Sequence, residues 1–160
     1  MAALAPGSRF PRVPLLDEKG AASAVPEGET LYAVFKTTCP VCELTWPYLE
    51  RIRQLADGGK MRVVAVSQDD ASKTRAFNKR LGSRVPTLYD PEPWKASDAL
   101  GMDTVPTLFR VAPDGTIAET VVGFDREALK GLARRAASLS GKPSAELFRA
   151  GENVPAFKPG

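Results

Sequence analysis

A short apolar run, Leu31-Tyr32-Ala33-Val34-Phe35, leads through Lys36-Thr37-Thr38 into Cys39-Pro40-Val41-Cys42, and helical spacing begins there. This juncture constrains the chain more than any other stretch of it. The apolar run reads as a buried strand. Beyond it, Leu44, Tyr48, Ile52 and Leu55 recur at three- and four-residue intervals until Asp57-Gly58-Gly59 stops the pattern. The spacing predicts a helix over about 40–56, with Pro47 inside it removing one backbone donor and kinking it. A strand thus delivers two cysteines to the start of a helix. Unsatisfied N–H groups and the macrodipole favour an anion there, so Cys39 is expected to act as a thiolate nucleophile. Cys42, one turn further in and less exposed, is placed to attack a mixed disulfide formed on Cys39 and release the product.

What the chain lacks is equally informative. It contains no histidine, and Cys39 and Cys42 are its only cysteines. A Cys–His nucleophile, a Ser–His–Asp triad and most zinc or copper sites need an imidazole. No metal and no cofactor is therefore expected. A purely structural disulfide between these thiols would close a ring too small to restrict the unfolded chain much. The 22 Lys and Arg against 19 Asp and Glu leave a net charge of +3, scattered rather than gathered, so no nucleic-acid partner is expected. The opening Met1-Ala2-Ala3-Leu4-Ala5-Pro6-Gly7 lacks a basic start and an apolar stretch, and no apolar run approaches membrane-spanning length. The expectation is a monomeric cytoplasmic protein without a membrane span, although a chain trimmed of a leader would read the same way.

Along the rest of the 160 residues, short elements alternate between strand and helix, which predicts an α/β fold. Arg62 to Ser67 reads as the next strand, and Ala71 to Leu81 as a helix closed by Gly82, with Asp69 or Asp70 as its N-cap. After Thr87-Leu88-Tyr89-Asp90, a short helix is expected from Trp94 to Leu100, ending at Gly101. Thr107 to Val111 and Thr116 to Val122 flank Ala112-Pro113-Asp114-Gly115, a strong hairpin signal. The last helix is predicted from about Asp125 to Leu139, its apolar face made of Leu129, Leu132, Ala133, Ala136 and Leu139. Residues 141–160 read as an irregular tail that Leu147, Phe148, Val154 and Phe157 pin to a domain spanning 1–140.

In this order, these residues resemble a thioredoxin-fold protein, closest to the TlpA/ResA-like thiol-disulfide oxidoreductases and their peroxiredoxin-like, AhpC/TSA-related relatives. Three motifs carry the resemblance: Thr37-Thr38-Cys39-Pro40-Val41-Cys42 opening a helix that contains Pro47; Thr104-Val105-Pro106-Thr107, similar to that family's cis-proline loop; and the Pro113-Asp114-Gly115 hairpin with Gly123 before the final helix. Gly7-Ser8-Arg9-Phe10-Pro11 is similar to the family's N-terminal lead-in. The resemblance implies a central mixed β-sheet flanked by helices, with an N-terminal extension and an insertion before the cis-proline loop. It implies Cys39 and Cys42 as the catalytic pair and Thr38, Pro40, Thr104, Val105 and Pro106 as substrate-contacting residues. Val85-Pro86-Thr87 competes for the cis-proline role. Pro106 is preferred because it directly precedes the hairpin and the last helix. A cis-proline beside the cysteines would bring the Thr104-Val105 backbone close to the sulfurs, where an extended peptide could pair with it.

Departures from the family pattern matter too. Thr38 stands where many relatives have a tryptophan, so the apolar lid over the site is reduced. Ala33 and Thr45 stand at positions that hold carboxylates in thioredoxins and ResA-like proteins respectively. Proton transfer to and from Cys42 would then need water or another group, such as Glu43, whose alternative reading is a solvated helix-surface residue. Lys36 either helps the Cys39 thiolate or is a solvated strand-end lysine. Trp46 reads mainly as helix packing, and Trp94 as a more open aromatic surface.

The reading these features favour is a thiol-disulfide oxidoreductase exchanging electrons with a disulfide- or dithiol-containing protein or small molecule. One alternative is an antioxidant thiol peroxidase with Cys39 as peroxidatic and Cys42 as resolving residue. Against it, Lys36 and Tyr32 stand where the peroxiredoxin pattern has a threonine and a proline. The non-enzymatic alternative is a thioredoxin-fold interaction module; a copper-delivery variant of it would need a histidine.

Overall fold

The structure is a computed structural model and describes residues 2–160. The apolar run of the sequence forms β1 (Glu29–Phe35), every residue of which is buried. Such a strand is covered on both faces and therefore reads as continuous rather than alternating. Then follow α1 (Pro40–Ala56), β2 (Met61–Ser67), α2 (Ala71–Leu81), β3 (Thr87–Tyr89) and α3 (Lys95–Ala99). The hairpin strands are β4 (Thr107–Val111) and β5 (Ile117–Val122), and the chain continues with β6 (Phe124–Asp125), α4 (Arg126–Leu139) and β7 (Phe157–Lys158).

Five strands form one mixed sheet in the order β3-β2-β1-β4-β5. β1 pairs in parallel with β2 and antiparallel with β4, which puts it at the centre. Alternation along β1 then divides the core in two. Leu31, Ala33 and Phe35 pack with α1, α4 and Phe77 of α2, whereas Tyr32 and Val34 pack with Leu15, Phe109, Ile117 and Leu100. The second face is covered by the N-terminal segment and the α3 region. There, Phe10 stacks on Tyr32 with ring centroids 4.4 Å apart, and Arg9 bridges Thr116 at the sheet edge.

Local chemistry sets the helix ends. Asp70, rather than Asp69, caps α2 by accepting from the Lys73 N–H, and Gly82 closes it at φ 64°, a left-handed turn that glycine takes without a Cβ penalty. Asp125 caps α4 through the Ala128 N–H. α1 runs through Pro47 as one helix. Trp46, Leu49 and Ile52 are fully buried in it, while Leu44 and Leu55 of the expected stripe are only partly buried. Trp46 lies between Phe35 and Phe77, with centroids 4.2 and 5.8 Å away, as helix packing requires. α3 starts one residue later than expected, because Trp94 sits at φ 56°, outside the helical region.

Residues 141–160 are tied down more closely than the sequence suggests. Leu147 and Phe148 are buried in the core beside α1 and α4, and Val154 packs at its margin. Phe157, expected to pin the tail by its side chain, is 55% exposed and is held instead through its backbone in β7. Among the described residues no helix is long and apolar enough to cross a membrane.

Candidate active site

β1 ends at Phe35, and the chain turns once before α1, so Cys39 becomes the N-cap of the helix. Its sulfur accepts the Cys42 N–H at 3.1 Å, taking the place that a serine or aspartate oxygen fills in most caps. The turn is pinned from β2: Asp69 accepts from the Thr37 N–H at 2.7 Å and from the Thr37 hydroxyl at 2.8 Å. Asp69 thus fixes the loop that aims Cys39. Sequence reasoning assigned it only a possible capping role, and a single signal, an acid next to the true cap Asp70 at a strand end, pointed elsewhere.

The loop before β4 closes the site from the other side. The Val105–Pro106 peptide is cis, and the Cys39 S–H donates to the Val105 carbonyl at 3.5 Å. The peptide before Pro86 is not among the cis bonds of the described residues, whereas Glu92–Pro93, not singled out in the sequence, is. Thr107 donates its hydroxyl to the Thr104 carbonyl at 2.9 Å, and the Pro106 carbonyl accepts the Gly123 N–H at 2.8 Å. The structure thereby brings Cys39, Cys42 and Val105 together directly. Pro106 is buried, Thr38 and Pro40 are exposed beside the sulfur in the chain, and Thr104 is half-buried.

The two thiols differ sharply in environment. Cys39 is partly exposed, and Cys42 has no exposed surface. Burial pushes the Cys42 thiol well above its ordinary range, reinforced by the hydrogen bond with Cys39, and a backbone hydrogen bond from the Lys36 region offsets only part of that. Among the described residues no carboxylate is hydrogen-bonded to the Cys42 thiol to take its proton, and the Glu43 charge nearby raises it further. Ala33 is fully buried, the buried Thr45 hydroxyl donates to the Val41 carbonyl at 2.7 Å, and Glu43 is held on the surface by Arg80 at 2.6 Å. Among the described residues no group of three or more metal-ligating side chains is assembled.

A cleft of about 280 Å³ opens next to the site, lined by Lys36, Gln68, Trp94, Ser97, Thr104 and Val105. The Lys36 ammonium lies 4.8 Å from the centroid of the Trp94 ring. The Trp94 indole N–H donates to the Gln68 carbonyl at 3.2 Å, and Gln68 donates to Ser97 at 2.8 Å. Buried Asp90 holds the start of α3 through the Ala96 and Ser97 N–H groups and the Ser97 hydroxyl. An aromatic wall missing at Thr38 is thus present at Trp94, in the insertion.

A family model for Redoxin matches residues 4–134. The chain belongs to the Redoxin family. Redoxin membership and the geometry agree on an oxidoreductase of the thioredoxin-like class. None of the curated proteins matches the sequence. Among solved structures, this Redoxin is similar to the thioredoxin domain of a thiol-disulfide oxidoreductase from Bacteroides vulgatus, with 18% identity over 83% of this chain and 98% of that one and a TM-score of 0.71. It is also similar to a secreted Mycobacterium tuberculosis disulfide oxidoreductase homologous to E. coli DsbE, at 14% identity over 78% of this chain and 96% of that one, TM-score 0.63. StoA from Bacillus subtilis shares 19% identity over 82% of this chain and 96% of its own, TM-score 0.59. At these identities the likeness is one of fold.

Proposed function

We propose that this Redoxin cycles between a Cys39–Cys42 disulfide and a dithiol, exchanging two electrons with an external disulfide. The observation that carries this reading is the N-cap geometry: an accessible Cys39 sulfur receiving the Cys42 N–H, with the buried Cys42 thiol one turn behind it. The Cys39 sulfur stands at the N-terminal end of α1 with the Cys42 N–H directed at it, the end of the helix dipole that faces an attacking sulfur. In the reducing direction, the Cys39 thiolate attacks one sulfur of the substrate disulfide and expels the other as thiolate. Cys42 then attacks the Cys39 sulfur, the substrate's second sulfur leaves, and the protons of the dithiol end on the two released thiols. Thr38, Pro40, Thr104, Val105 and Pro106 are proposed to surround the substrate sulfur, and Asp69 to position the Thr37 turn.

Insulin reduction with dithiothreitol as the electron source tests the reading. Cys39→Ser is expected to remove turnover entirely. Activity undiminished by that change would end the proposal.

A further inference from the structure

Residues 156–160 return to the site. The Arg126 N–H donates to the Ala156 carbonyl at 3.0 Å, and Phe157 and Lys158 pair with Asp125 and Phe124 as β7 against β6. Gly123 lies under this strand so closely that a Cβ there would come within 2.7 Å of the Lys158 carbonyl and 3.2 Å of the Gly160 nitrogen. Gly160 in turn rests on the cis-proline loop, where a Cβ would overlap the Val105 carbonyl and stand 2.9 Å from Thr104 Cγ2. That carbonyl is the one touched by the Cys39 S–H. The backbone edge beside the nucleophile is therefore already occupied by the chain itself.

An extended polypeptide docks on such an edge through main-chain pairing and needs it free. A small disulfide needs only a sulfur in line with the Cys39 sulfur and room for its two halves. The cleft bounded by Lys36, Gln68 and Trp94 reaches the same Thr104 and Val105 and supplies that room. Building on the dithiol–disulfide reading, we propose that residues 157–160 are a specificity-determining segment that closes the peptide-docking edge and directs the enzyme to low-molecular-weight disulfides. The reaction balances as above: one small disulfide gains two electrons and two protons, and the Cys39–Cys42 dithiol supplies both.

Rates of oxidation of the full-length, pre-reduced protein by glutathione disulfide and by insulin, followed by alkylation and mass spectrometry, test this. Two variants unseat the segment by different routes. Gly160→Val adds a Cβ against the Val105 carbonyl, and Lys158→Pro removes the backbone donor opposite Phe124 in the β6–β7 pair. Hydrogen exchange of the amides along this pair, Arg126 among them, verifies the release. Both variants are expected to gain about tenfold in the insulin rate constant while the glutathione disulfide rate stays within about twofold. Unchanged insulin rates in variants whose tail amides exchange freely, or a wild-type preference for insulin, would overturn the proposal. No oxidation by either substrate in any form would instead sink the dithiol reading on which it rests, a different and recognisable result.

Discussion

In the proposed cycle Cys42 must become a thiolate to release product, yet its thiol is buried and pushed above the ordinary thiol range, and no neighbouring carboxylate is hydrogen-bonded to it. Glu43, the nearest candidate along the chain, is engaged with Arg80 on the surface. Below its pKa the thiolate fraction climbs about tenfold per pH unit. Because the shift is upward, that climb extends through the whole neutral and mildly alkaline range. The expected outcome is a product-release rate that rises with pH at a logarithmic slope near one, read by quenched-flow trapping of the mixed disulfide. A plateau near neutrality would instead show an internal base acting on Cys42. Cys42→Ser should make the mixed disulfide on Cys39 persist, visible as an added mass. The placement of the two thiols at a helix start, the first more exposed than the second, was legible in the sequence, since spacing and a helix start are local properties. Asp69 was not, because its bonds to Thr37 cross 32 positions of chain and depend on β1 and β2 lying side by side.

Elements bounded by their own punctuation were equally legible. α1 and α2 end at glycine-marked turns, the β4–β5 hairpin follows its Pro-Asp-Gly signal, and Asp125 caps α4. Where an end is decided by a neighbour, the sequence was less informative: α3 begins only after Trp94, whose side chain is bound to Gln68. The tail is held by a comparable long-range contact. Glu152 makes paired hydrogen bonds with Arg51 of α1 at 2.7 Å, and these, with the Arg149 N–H, bring its carboxyl down to about 2. A carboxyl lowered on folding contributes stability that is complete above its ordinary value near 4.5 and lost as pH falls toward the folded value. Acidification from about 4.5 to 2 should therefore loosen residues 147–152 first. Amide exchange of that segment measures it, and Glu152→Gln should show the same loosening at neutral pH. An exchange pattern indifferent to both changes would contradict the pairing.

At the scale of the whole molecule, the tail belongs to the core. Phe148 is buried against Tyr48 with ring centroids 4.5 Å apart, and the Arg126 guanidinium lies 5.2 Å from its ring. Phe148→Ala is expected to cost about 3 kcal/mol through lost burial and a cavity, read as a lower urea midpoint of a single cooperative transition. A cost below about 1 kcal/mol would mark the tail as a separate appendage, since surface changes fall in that range. The sequence by itself determined the α/β succession, the central apolar strand and the pairing of two thiols at a helix start, because hydrophobic period, caps and turns act within a few residues. Only the tertiary structure decided what surrounds those thiols: Asp69 under the loop, Trp94 beside the cleft, and Gly160 on the Val105 carbonyl. These contacts join segments tens of residues apart, and their chemistry appears only once packing has brought them together.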